Sequence, residues 1–127
     1  SEPMYEFAYG LSYSEFSYSP VTLSCDSVSA SGKIVAEVTV TNTSDVDGME
    51  TVHWFICDPY CSIARPVKEL KFFEKRLIKA GESSVFRFEI DPWRDLSFVD
   101  GDGNRFLEPG EYRVIVKNQK IEFMLVE

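Results

Sequence analysis

Apolar and polar residues alternate along this chain with a period of two, in short runs, which is the pattern of half-buried β-strands. From Lys33 to Asn42, Ile34, Ala36, Val38 and Val40 fall on one face, with Glu37, Thr39 and Thr41 opposite. Ser44-Asp-Val-Asp-Gly48 then supplies turn residues. Between Glu50 and Cys57 the core-facing set is Val52, Trp54 and Ile56; between Ser84 and Asp91 it is Phe86, Phe88 and Ile90, with Arg87 and Glu89 outward. Two last runs, Glu111 to Lys117 and Lys120 to Val126, are predicted to pair through a tight turn at Asn118-Gln119.

Between these runs, Leu70 to Ile78 is apolar with an irregular phase that predicts a bulge. Leu96 to Val99 is expected to pair with Arg105 to Leu107 around Asp100-Gly-Asp-Gly103. No segment keeps helical spacing over three turns. About seven short strands, a buried Trp54 and turn-rich connections predict an all-β fold, an immunoglobulin-like antiparallel sandwich. The segment Tyr5 to Tyr18 is crowded with aromatic residues but lacks alternation until about Ser14. It reads either as a first strand on its own sandwich or as an arm, residues 1–13, in front of a sandwich over 14–127.

With 127 residues, 44% of them hydrophobic, the chain has material for one packed domain. Thirteen basic against twenty-one acidic residues give a net charge of −8. That argues against nucleic acid, whose phosphates need a basic face, and against an anionic membrane surface. No apolar run approaches the ~20 residues of a bilayer-spanning helix, and Ser1-Glu-Pro-Met lacks the basic and apolar regions of a cleavable signal. Cys25, Cys57 and Cys61 cannot all pair within one chain; a bridge between Cys57 and Cys61 across Asp58-Pro59-Tyr60 and unpaired thiols are both open. With His53 as the single histidine, no metal site is expected.

Three stretches carry a family resemblance: Arg65-Pro-Val-Lys-Glu-Leu70 with Gly81-Glu-Ser83, Asp91-Pro-Trp-Arg-Asp-Leu-Ser-Phe-Val-Asp100, and Leu107-Glu-Pro-Gly-Glu-Tyr-Arg-Val114. Together with Val38-Thr-Val-Thr-Asn-Thr-Ser-Asp45 and Asp58-Pro59, they resemble the C-terminal fibronectin type III-like domain of family-3 glycoside hydrolases, the β-glucosidases and β-xylosidases. The resemblance runs from about Phe7 to Val116. Phe72 stands where that family usually has glycine and Arg105 where it often has tryptophan, both expected on strand or loop surfaces. The resemblance implies a non-catalytic accessory domain without cofactor, joined to the catalytic domains of a parent hydrolase, with an oligosaccharide as a further candidate partner. It leaves the compartment open, with a periplasmic or secreted parent favoured over a cytoplasmic one, and implies that Phe7, Tyr9 and Leu11 lie in the arm leading from the preceding domain.

The acidic residues fall in turns and on polar strand sides, so a carboxylate pair for sugar hydrolysis is not expected. Asp100, Asp102 and Asn104 follow calcium-loop spacing, with Glu111 at the twelfth position, but Arg105 occupies the sixth, where glycine is required. A hairpin turn accounts for the same residues. Exposed rings at Trp93 and Tyr60 raise an independent carbohydrate-binding or protein-interaction module as the alternative. Parity places His53, Phe55, Ile115 and Met124 outward, and Phe55, Ile115 and Met124 are expected to form a covered interdomain face with the arm. The loop from Cys57 to Arg65, with Tyr60 and Arg65, is the candidate for the rim of the parent's substrate site.

Overall fold

The structure is a computed structural model that describes residues 15–60 and 67–127. Its elements are β1 (Phe16–Tyr18), β2 (Thr22–Leu23), β3 (Ser27–Val28), β4 (Ile34–Asn42), β5 (Gly48–Cys57), β6 (Lys68–Ile78) and β7 (Ser83–Ile90). After these come α1 (Pro92–Asp95), β8 (Phe98–Val99), β9 (Arg105–Phe106), β10 (Gly110–Val116) and β11 (Gln119–Leu125). Eleven strands are described, of which β1–β3, β8 and β9 have two or three residues each; β8 and β9 form the expected short hairpin, and the all-β sandwich stands.

One sheet is centred on β4, with β7 along one edge and β1 and β2 along the other. The second runs β3-β11-β10-β5-β6, antiparallel except for the parallel β3–β11 pair. The alternating faces of β4, β5, β7, β10 and β11 meet between the sheets. Trp54 packs on Phe88 with ring centres 5.9 Å apart, and Tyr112 stacks on Phe123 at 5.8 Å. Burying each such ring stabilises the fold by roughly 1.5–3 kcal/mol. Trp54 Nε1 is buried without a hydrogen-bond partner, so the indole ring is held by packing alone.

Polar side chains close the ends and edges. Asn42 continues the inward parity of β4 and is fully buried. Its Nδ2 donates to the carbonyls of Val46 (2.8 Å) and Ile78 (2.9 Å), and its Oδ1 accepts from Ser44 N and Oγ. Arg76 lies 4.4 Å over the Phe86 ring, donates to Ser84 Oγ and Val85 O, and pairs with Glu74, thereby bridging the β6 and β7 edges. Tyr112 Oη donates to Glu108 O at 2.7 Å, the tyrosine corner of immunoglobulin-like sandwiches.

The β10–β11 turn is Lys117-Asn118, one residue before the expected Asn118-Gln119. Gln119 is held as a strand residue because its side chain accepts from Val21 N and donates to Ser19 O. Lys117 therefore takes the positive-φ place (56°). The expected bulge lies in β6: the register with β5 shifts between Trp54 and Phe55, leaving Lys71 without an opposite residue. Phe72 is exposed at the strand surface, as expected, but it stands opposite Trp54 and stacks on Phe88 at 5.6 Å, so it covers the open edge of the sandwich.

Candidate docking face and loop cluster

The outer face of the five-stranded sheet carries a line of exposed apolar side chains. Strand pairing sets Met49 against Leu77, His53 against Phe73, and Phe55 against both Leu70 and Ile115. Phe73 is 60% exposed and Leu70 46%, unusual values for large apolar residues in the body of a strand. The His53 ring lies between Phe55 (6.5 Å) and Phe73 (6.2 Å), and Lys68 Nζ sits 4.5 Å over Phe55. The β6 bulge contributes here: without it, Leu70 would face inward and this line would end at Phe55.

Of the residues expected on this face, Phe55 and Ile115 are direct partners in register. Met124 shares the face but stands opposite Glu111, four positions along β10 from Ile115 and so about 13 Å away. It is not part of the same cluster. Phe7, Tyr9, Leu11 and Arg65 lie outside the described residues. The contribution of β6 was missed because the irregular phase of Leu70 to Ile78 does not tell which of its apolar residues face outward; its position at the sheet edge is not visible in its residues.

A second cluster gathers where β5 ends. Asp58 Oδ1 accepts from Tyr60 N and turns the chain, leaving Tyr60 72% exposed. The Tyr60 ring meets Phe98 edge-on at 6.2 Å, and Phe98 stacks on Phe106 at 5.6 Å across the β8–β9 hairpin. A hollow of about 350 Å³ opens beside them, lined by Ile56, Asp58, Glu69, Lys71, Phe98 and Tyr112. Trp93 is half-exposed on α1, and Arg105 donates to Ser97 Oγ on the hairpin surface.

Several aspartates are occupied by backbone amides. Asp47 accepts from Ala80 N and Asp91 from Trp93 N and Arg94 N. Asp95, nearly buried, accepts from Asp91 N and the Arg94 guanidinium. Asp100 Oδ1 accepts from Asp102 N and Asn104 N, so the Asp-Gly-Asp-Gly segment uses its first carboxylate to close a turn. Of Cys25, Cys57 and Cys61, Cys25 is a free, exposed thiol and Cys57 a buried disulfide sulfur, while Cys61 lies outside the described residues.

Burial pushes the Tyr112 phenol up to about 12, with Asp58, Glu108 and Tyr60 adding to it. Tyr18 is shifted upward as well, by burial and by its 2.6 Å bond to Glu50. Both raised values favour the neutral phenol in the folded state over an unfolded value near ~10. The Tyr112 contribution is whole below pH ~10 and is lost as pH rises through about 12. Urea midpoints should therefore fall between pH 9 and 11, and Tyr112→Phe should fall less steeply; equal slopes would refute this.

Residues 50–120 match the family model of the fibronectin type III-like domain. Over 114 residues the chain is 40% identical to a periplasmic beta-glucosidase of Salmonella typhimurium, an alignment covering 90% of this chain and 15% of that protein. A putative beta-xylosidase of Formosa agariphila is 39% identical over 121 residues, covering 95% of this chain and 16% of the relative. Among solved structures, a β-glucosidase from Erythrobacter marinus superposes with a TM-score of 0.81 at 35% identity, over 96% of this chain and 17% of its own. The β-glucosidase of Listeria innocua in complex with isofagomine gives 0.77 at 36%, over 98% and 18%. The chain thus spans only a small part of each relative's length.

Proposed function

Because this chain belongs to the family of fibronectin type III-like domains, we propose that it is a non-catalytic accessory domain of a β-glycosidase of the β-glucosidase or β-xylosidase type. Its work is mechanical. It stabilises the catalytic domains of the same polypeptide through an apolar interface, and it sets the loop bearing Tyr60 toward the rim of their substrate site.

One observation carries the reading: large apolar side chains, Phe73 and Leu70 above all, stand exposed on a sheet that is otherwise built to alternate. A contiguous patch of this kind marks a surface that another body covers. The named relatives supply the body, since each extends far beyond the aligned region. The Tyr60–Phe98–Phe106 cluster supports the rim assignment, because a rigid aromatic stack holds Tyr60 outward at the end of a core strand.

Removing this domain from the intact parent should lower the parent's thermal midpoint by about 5 °C or more. Turnover of a nitrophenyl glycoside should fall in the same preparation. Calorimetry and a rate assay check this, and an unchanged midpoint with unchanged turnover overturns the proposal. The domain alone should leave the nitrophenyl glycoside intact and should not bind glucans. Measurable glucan affinity of the isolated domain would favour a carbohydrate-binding module instead.

A further inference from the structure

Resting on that accessory reading, we infer which face is covered and what covers it: the outer face of β6, β5 and β10 docks on an apolar surface of the same polypeptide that is rimmed by carboxylates. The apolar centre is the cluster of Phe73, His53, Phe55, Leu70 and Ile115, with Leu77 and Met49 a separate apolar pair beyond Thr51 and Lys75. The charges around it do not follow the rest of the chain. Lys75, opposite Thr51, borders the cluster at the Phe73 end, Lys68 lies over Phe55 at the other, and Lys120 stands opposite Ile115 on β11. Arg113 pairs with Glu122 at 3.3 Å and so cancels its own charge, while Glu111 lies at the far end beside Met124. An acidic chain of net charge −8 therefore presents a basic rim around its most exposed apolar cluster.

That arrangement selects the occupant. A second copy meeting the same face would set lysine against lysine, a like-charge contact that disfavours the pair. A neutral glycan could accept hydrogen bonds from the lysines but offers no charge to pair with them. An apolar surface bordered by Asp or Glu would bury the rings and pair the ammonium groups at the periphery, where such pairs steer register and exclude wrong partners. The edge position of β6 gives a reason for the covering. A long edge strand with Leu70, Phe73 and Leu77 bare is open to aggregation unless another body shields it.

The test is amine acetylation of the intact parent protein, read by mass spectrometry. In the isolated fold Lys68, Lys75, Lys120, Lys33 and Lys79 are all exposed, so Lys33 and Lys79 serve as internal references. In the parent, Lys68, Lys75 and Lys120 should react at least about tenfold more slowly than the references. Lys75→Glu, an exposed change that leaves the core alone, should raise the reactivity of Lys68 and Lys120 several-fold; Phe73→Glu should do so more strongly.

Equal reactivity of rim and reference lysines overturns the inference. If slow lysines then appear on another face, such as Lys117, the accessory reading survives and only the face is wrong. If every lysine reacts at the reference rate, the accessory reading fails too. Deleting residues 1–14 should leave the rim lysines slow; if that deletion alone frees them, the arm is the occupant and the inference is overturned.

Discussion

Asn42→Ala is expected to destabilise the domain by about 3–5 kcal/mol, although it removes only one small polar side chain. Asn42 joins two connections that Asp47, accepting from Ala80 N, bridges only at their exposed side. Its Nδ2 binds Val46 O in the β4–β5 turn and Ile78 O at the end of β6, and its Oδ1 fixes Ser44. Its own backbone N donates to Glu82 O, and its carbonyl accepts from Gly81 N. Truncation leaves the Ile78 carbonyl buried without this donor and releases Val46 and Ser44; each unsatisfied buried group costs about 1–3 kcal/mol. Asn42→Asp should be at least as damaging. It keeps an acceptor for Ser44 but points oxygen at two carbonyls. Equilibrium urea unfolding checks both variants, and a loss below about 1 kcal/mol for Asn42→Ala would show that the network is not what holds these turns.

The same residue shows what the chain discloses and what it hides. Ile34, Ala36, Val38 and Val40 announce β4 because every second position is apolar and every one is buried. Carrying that parity two residues further places Asn42 in the core, so its role was legible, yet a polar residue beside Thr43 and Ser44 reads as turn. The Lys117-Asn118 turn was misplaced by one because Asn-Gln looks more turn-like than Lys-Asn. The interaction that decides it, Gln119 reaching Ser19 and Val21, joins residues about a hundred positions apart. Strand β6 was harder still. Its apolar residues divide between a cover on the open edge, Phe72 on Phe88, and an outward cluster, Leu70 and Phe73. The bulge at Lys71 and the edge position make that division, and neither is written in the order of residues alone. For the docking face, Phe55 and Ile115 followed from parity on two strands whose alternation is clean, whereas Met124 required knowing the β10–β11 register.

Gly110→Ala is expected to cost about 3 kcal/mol and to loosen the loop that carries Tyr60. Gly110 begins β10 at φ 154°, a backbone state that side chains with a Cβ rarely adopt. A Cβ built there would stand 3.0 Å from Pro59 Cγ and 3.3 Å from Pro59 Cβ, closer than carbon atoms settle. Pro59 precedes Tyr60, and Tyr112, two residues beyond Gly110, anchors the β9–β10 connection by its bond to Glu108 O. Strain at Gly110 would therefore move the Asp58–Tyr60 turn, the tyrosine corner, or both. A double-mutant cycle separates the two sources of cost. Pro59→Ala removes the outer ring carbon that the new methyl meets, so it should recover part of the loss if crowding dominates. It should recover none if the backbone state dominates. Near-ultraviolet circular dichroism should also change as Tyr60 leaves its edge-on contact with Phe98. A Gly110→Ala variant with wild-type stability and an unchanged aromatic spectrum would mean that the close approach of Pro59 to β10 does not position this loop.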